Sequence, residues 1–128
     1  MDNQLLQLEH PTRQWKSYNV IKARCIAQKD AHTIAVGTVD GLGLINKQTV
    51  KQAHKYKSTD NKGEDFNAFI QSIAFIDDEQ AWLGSDGGGL YLCNLQTLEK
   101  RAFSTEQRLP SNRVSALLID HSKMLWIT

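Results

Sequence analysis

An all-β fold built from a repeated four-stranded unit is predicted for this 128-residue chain by three observations. First, the segments Ile34-Ala35-Val36-Gly37-Thr38, Ala81-Trp82-Leu83-Gly84-Ser85 and Leu125-Trp126-Ile127-Thr128 can be stacked on one another. Their central positions Ala35, Trp82 and Trp126 lie 47 residues (82 minus 35) and 44 residues (126 minus 82) apart, a period that suits one four-stranded blade of a β-propeller. Second, flanking features keep the same spacing. Third, the chain consists of short strand-like runs joined by Gly, Asp and Asn turns, with no long segment of helical period.

Each element of the unit follows in order. The first strands are Cys25 to Gln28, Ser72 to Phe75 and Ala116 to Ile119, followed by turns opened by Asp30, Asp77 and Asp120. Asp suits that place because its carboxylate can accept from the backbone two residues on. The second strands are the three stacked segments. After them come Asp40-Gly41 and Asp86-Gly87, then third strands Leu42 to Asn46 and Gly89 to Asn94, then Gln48-Thr49 and Gln96-Thr97. Fourth strands fall near Lys51 to Tyr56 and Glu99 to Phe103. Inner strands such as Ile73-Ala74-Phe75-Ile76 are almost continuously apolar, as a sheet covered on both faces requires. Outer strands are more polar.

Residues Leu5 to Tyr18 align with Leu90 to Phe103, so the chain opens with the third and fourth strands of a unit, and Val114 to Thr128 supply only the first two of another. The expected organisation is a single partial propeller over 1–128: a half-blade at 1–19, blades at 20–57 and 66–104, and a half-blade at 109–128. That is about three blade equivalents, too few to close a ring, since propellers carry about four to eight blades. Open strand edges invite pairing with another chain. A homodimer joined through the half-blades into a six-bladed ring is the expected assembly.

Composition narrows the function classes. Hydrophobic residues make up 41% and charged residues 23% of the chain, and 15 Lys and Arg balance 14 Asp and Glu, for a net charge of +1. The charges are scattered, so the basic footprint expected of a nucleic-acid partner is absent. No apolar run approaches the roughly 20 residues that span a bilayer, and Met1 to Glu9 has no secretion-signal pattern. Any membrane connection would run through parts of a parent protein outside this chain. Cys25 and Cys93 fall on different strands of different units and are expected to be free thiols.

Candidate chemistry is sparse. Asp86-Gly87-Gly88-Gly89 allows close backbone approach, but lacks the Lys-Ser/Thr pair and the following helix of a phosphate loop, and reads as a tight turn. His10, His32, His54 and His121 show no metal-ligand spacing, and His32 and His121 fall in hairpin turns. Asp77, Asp78 and Glu79 are consecutive in a turn, whereas hydrolytic carboxylates face one another from different elements. There is no Gly-x-Ser-x-Gly elbow, and neither cysteine has a context that would lower its pKa. Trp82 and Trp126 are expected to pack between blades, and Trp15 to be exposed on an outer strand. No catalytic residue, metal or cofactor is expected.

Binding residues on rigid scaffolds gather in loops. The loops before each first strand and those between second and third strands share one end of the fold. They hold Asp40, Asp86, Asn112 and Arg113, the candidate ligand-binding residues, together with the polar insertion Ser58 to Asp65.

The stretch Leu109-Pro110-Ser111-Asn112-Arg113-Val114-Ser115-Ala116-Leu117-Leu118-Ile119-Asp120, followed by Leu125-Trp126-Ile127-Thr128, resembles the two-component regulator propeller repeat. Ala81 to Gly89 resembles the second half of that repeat, and Ile34 to Gly43 is a weaker copy. The sequence departs from the pattern where Gly is missing between Ile127 and Thr128, and where Ala35 stands for Trp. The resemblance implies the sensor part of a bacterial hybrid histidine kinase or diguanylate cyclase: a periplasmic, non-catalytic segment that binds a small molecule, such as a saccharide, and signals to an output domain. A cytoplasmic protein-interaction propeller is the alternative, although its Trp-Asp signature is missing. A propeller enzyme would need converging His and acidic residues where the axial strands carry Ile, Ala, Leu and Ser.

Overall fold

The computed structural model describes residues 5–8, 12–18, 23–38, 41–46, 52–56, 69–97 and 99–128. The expectations for Asp40 and for Ser58 to Asp65 therefore lie outside the described residues. Twelve strands are present among the described residues: β1 (Leu5–Leu8), β2 (Trp15–Tyr18), β3 (Ala23–Gln28), β4 (Thr33–Thr38), β5 (Gly41–Asn46), β6 (Gln52–Tyr56), β7 (Phe69–Phe75), β8 (Gln80–Asp86), β9 (Leu90–Asn94), β10 (Lys100–Phe103), β11 (Leu117–Ile119) and β12 (Leu125–Ile127). One 3-10 turn at Thr105–Gln107 is the only helical element among them.

The strands form four antiparallel sheets: β1-β2, β3-β4-β5-β6, β7-β8-β9-β10 and β11-β12. The fold is all-β, with strands in the order that the repeat predicts. Within each four-stranded sheet, neighbours in sequence are neighbours in space, because short polar turns leave antiparallel pairing as the accessible option. Asp30, Asp77 and Asp120 open the first turns as expected. Each accepts through Oδ1 from nearby backbone N–H groups: His32 at 2.8 Å, Glu79 and Gln80 at 2.8 Å, Ser122 at 2.8 Å and Met124 at 3.0 Å.

The sheets β3-β4-β5-β6, β7-β8-β9-β10 and β11-β12 pack on one another in sequence order, and the seam between them repeats. Ala35, Leu42 and Leu44 on one face of β4 and β5 pack with Ile70, Ala81, Leu83, Tyr91 and Cys93 of the next sheet, a cluster in which Ala35, Ile70, Ala81 and Leu83 are fully buried. Burying one such aliphatic side chain stabilises the fold by roughly 1.5–3 kcal/mol. At the centre of the seam lies Gly37, which pairs with Cys25 across β3-β4. A Cβ there would collide with the Cys25 sulfur and fall 2.9 Å from both the Ile70 side chain and its carbonyl. Gly84 repeats this arrangement, paired with Ser72, with Val114 in the place of Ile70: its Cβ would lie 2.7 Å from the Val114 side chain and 3.0 Å from its carbonyl. Both first strands also carry a register shift just before the residue opposite the glycine. Glycine is required at each seam because the next chain segment occupies the volume of a side chain.

The repeat ends differently at β11-β12. Trp126, expected to pack between sheets, is 61% exposed, and its register partner Leu118 is 63% exposed. Among the described residues no sheet lies on that face of the hairpin. The Trp126 indole N–H instead donates to Asp120 Oδ2 at 2.7 Å. Trp82, at the corresponding place in the preceding sheet, packs at 5.8 Å from the Phe103 ring. Trp15 is exposed, as expected. Cys25 and Cys93 are free thiols, as expected, and burial pushes both up to about 11.

Candidate functional site

Three of the four candidate residues come together at one end of β8. Arg113 donates from Nε to Asp86 Oδ1 at 2.6 Å and from Nη2 to Asp86 Oδ2 at 3.3 Å, a two-pronged ion pair between residues 27 apart in sequence. The backbones of the two residues also form a β-bridge. The Arg113 fork, as the leading cause, holds the Asp86 carboxyl below its ordinary range, and the Arg24 charge adds to the effect. The Arg113 guanidinium is pushed up in return by the same hydrogen bond. Both groups are solvent-accessible, so water screens their attraction and the pair serves chiefly to orient the side chains.

Asn112 acts through its main chain and its side chain. Its carbonyl accepts from the N–H groups of Gly87 at 3.0 Å and Gly89 at 2.8 Å, and its side-chain oxygen accepts from Thr105 N–H at 2.8 Å. Gly87 and Gly89 both take positive φ, of 107° and 85°, so the Gly-rich run is the tight turn that the sequence suggests, and its amides are spent on the protein itself. Ser85 completes the turn: its hydroxyl donates to the Gly89 carbonyl at 2.8 Å and accepts from Gly88 N–H at 3.1 Å. Val114 N–H donates to the Ser85 carbonyl at 2.8 Å, which fastens the entry of the last hairpin to the end of β8.

The approach to this cluster is held by a turn that the sequence reading missed. Ser104 and Gln107 form a reciprocal cap on the 3-10 turn, and Arg108 closes it in the left-handed region at φ 68°. The Ser-x-x-Gln spacing was the available signal.

Two further residues reach the same end without having been singled out. Phe69 is the register partner of Asp86 across β7-β8 and is 42% exposed. Arg24, from β3 of the neighbouring sheet, lays its guanidinium over the Phe69 ring at 5.4 Å from the centroid. The signal for Phe69 was its place in the repeat, one residue before the seam residue Ile70, as Arg113 is one before Val114.

Other candidates resolve into structural roles. Asp77 caps its turn, and Glu79 accepts from the Gln96 side chain at 3.3 Å. Among the described residues no three His, Cys, Asp or Glu side chains are placed to hold a metal, and no helix is long and apolar enough to cross a membrane. A shallow depression of about 300 Å³ lined by Gln80, Leu92, Asn94, Glu99, Lys100 and Arg101 lies at the opposite end of the β8-β9 pair.

No protein-family model matches the chain, and no curated protein matches it. Solved structures do. The extracellular domain of the hybrid two-component system protein BT3049 from B. thetaiotaomicron matches at a TM-score of 0.70 and 21% identity, over 96% of this chain and 16% of that one. That of BT4673 from the same organism matches at 0.69 and 21%, over 85% of this chain and 14% of that one. PorZ, a surface component of the type-IX secretion system of Porphyromonas gingivalis, matches at 0.61 and 19%, over 88% and 17%. The chain thus has the fold of a stretch of the extracellular domains of hybrid two-component systems, and it spans 14% to 16% of the length of those two chains.

Proposed function

We propose that this chain is a segment of a β-propeller that senses a small molecule for a bacterial signalling receptor on the extracytoplasmic side of the membrane, and that it carries out no catalysis itself. The observation that carries the reading is the repeated seam, Gly37 against Ile70 and then Gly84 against Val114. It packs successive sheets by the same step, as the blades of a propeller require, with equivalent loops at one end. Asp86, Asn112 and Arg113 stand at that end, and Asp40 belongs to the equivalent loop by sequence. The likeness to extracellular domains of two-component systems supports the same reading at the level of fold, although fold alone does not set function.

In the isolated chain, the two-stranded sheets β1-β2 and β11-β12 are completed by a second copy. The bare Leu118 and Trp126 face and the strand order, first two strands in one sheet and last two in the other, favour this pairing. Light scattering over a tenfold concentration range is expected to give twice the chain mass, and a monomer throughout would refute the pairing. Thermal melting against a panel of neutral sugars, sugar acids, amino acids and short organic acids is expected to show at least one stabiliser, because a ligand that binds only the folded state raises Tm by mass action. A flat response across the panel would overturn the sensing reading.

A further inference from the structure

We infer that Arg24, Phe69, Asp86 and Arg113 form one binding site for a small hydroxylated carboxylate. The inference rests on the sensing reading above and gives it a ligand class.

Three sheets contribute to the site: Arg24 from β3, Phe69 and Asp86 from β7 and β8, and Arg113 from the segment that enters β11. The repeat accounts for their meeting. Ile70 and Val114 occupy the same position over Gly37 and Gly84, so the residues that precede them, Phe69 and Arg113, stand at the same end of successive sheets. Asp86 faces both, as the register partner of Phe69 and the bridge partner of Arg113. Arg24 reaches across from the sheet before and lies on the Phe69 ring.

The chemistry of the four side chains is complementary to one kind of molecule. Arg24 is exposed, and among the described residues no carboxylate is hydrogen-bonded to it. Its planar fork is therefore open to a carboxylate in the two-pronged geometry that arginine favours. Arg113 commits Nε and Nη2 to Asp86, which fixes the direction of its remaining donors at the outset. Two guanidinium groups against one carboxylate leave the cluster with a surplus positive charge, so an anion is attracted and an amine is not. Asp86 retains lone pairs to accept from ligand hydroxyls. Arg24 lies over one part of the Phe69 ring, held there by the ring quadrupole, and the ring's remaining exposed surface offers an apolar contact for a sugar face. One carboxylate, adjacent hydroxyls and one apolar face describe a sugar acid better than a neutral sugar or a simple fatty acid.

The test is calorimetric titration of the whole chain with D-galacturonate, with D-galactose as the same ring lacking the carboxylate. Galacturonate is expected to bind, and galactose to bind at least about tenfold more weakly, as loss of a charge-assisted contact implies. Arg24→Ala is expected to weaken galacturonate about tenfold or more with little effect on galactose, and Arg24→Lys to recover part of the loss. Phe69→Tyr is expected to keep binding, whereas Phe69→Ala weakens both sugars. Circular dichroism and Tm confirm that each variant folds. Raising salt from about 50 to 500 mM should weaken galacturonate selectively. Equal affinity for the two sugars, or an Arg24→Ala variant that binds galacturonate as the wild type does, would overturn the carboxylate site while leaving the sensing reading in place. Failure of galacturonate to bind at millimolar concentration, in a chain that another compound of the panel stabilises, would overturn this site alone.

Discussion

The β7-β8 pair and the β11-β12 pair are built from the same positions of the repeat, yet one is interior and the other is bare. Leu83 is fully buried, whereas Ile127, one repeat later, is 40% exposed. Trp82 packs on Phe103, whereas Trp126 stands 61% exposed and turns its indole N–H to Asp120. The same residue types in the same register thus take their energetic weight from the sheet that covers them. The glycine pattern shows the same contrast. Gly84 is obliged to be small because Val114 fills the space beside it. Thr128 holds the corresponding place, two residues beyond its tryptophan, and is exposed.

The largest expected effect comes from truncating the two register-equivalent aliphatics. Leu83→Ala should cost about 2–5 kcal/mol by denaturant unfolding, from lost burial and the cavity left behind. Ile127→Ala should stay within about 1 kcal/mol, near the range of surface substitutions. Comparable losses at both sites would erase the contrast. Next comes the seam: Gly84→Ala should cost roughly 1–3 kcal/mol by overpacking, because the added carbon meets the Val114 carbonyl as well as movable side-chain atoms. A neutral result would show that the seam opens easily.

The smallest and most selective effect concerns the thiols. Cys25 and Cys93 are pushed up to about 11 by burial, so the folded state holds their protons more tightly than the unfolded chain does. Their contribution to stability is complete below the ordinary thiol value of 9.0 and is lost as pH rises from there through about 11. Replacing both cysteines with Ala or Ser should flatten the alkaline limb of the stability curve between those values. An unchanged limb would exclude the thiols as its source.

Much of the fold was legible because the repeat carries it. Asp30, Asp77 and Asp120 open turns where their spacing places them, and the strand order follows from the spacing of Ala35, Trp82 and Trp126. The candidate site was legible only in part. Asp86, Asn112 and Arg113 are singled out as candidates from loop position alone, and their mutual bonding is not legible, since an ion pair across 27 residues has no local signature. Arg24 and Phe69 escaped notice because each looks ordinary in its own strand, and only their proximity across a seam gives them meaning. Trp126 was misplaced for the opposite reason. Its local sequence matches that of Trp82, and burial depends on a neighbour that the local pattern does not encode.

The recurrence of one seam has a mechanical consequence. If Gly37 and Gly84 set the same angular increment between successive sheets, a small change at one seam is carried forward as a rotation of everything beyond it. A molecule gripped by Arg24 on one sheet and Arg113 ahead of the next-but-one straddles two such increments. Drawing those side chains together would wind the stack, and drawing them apart would unwind it, so occupancy could be transmitted as torque without any single residue moving far.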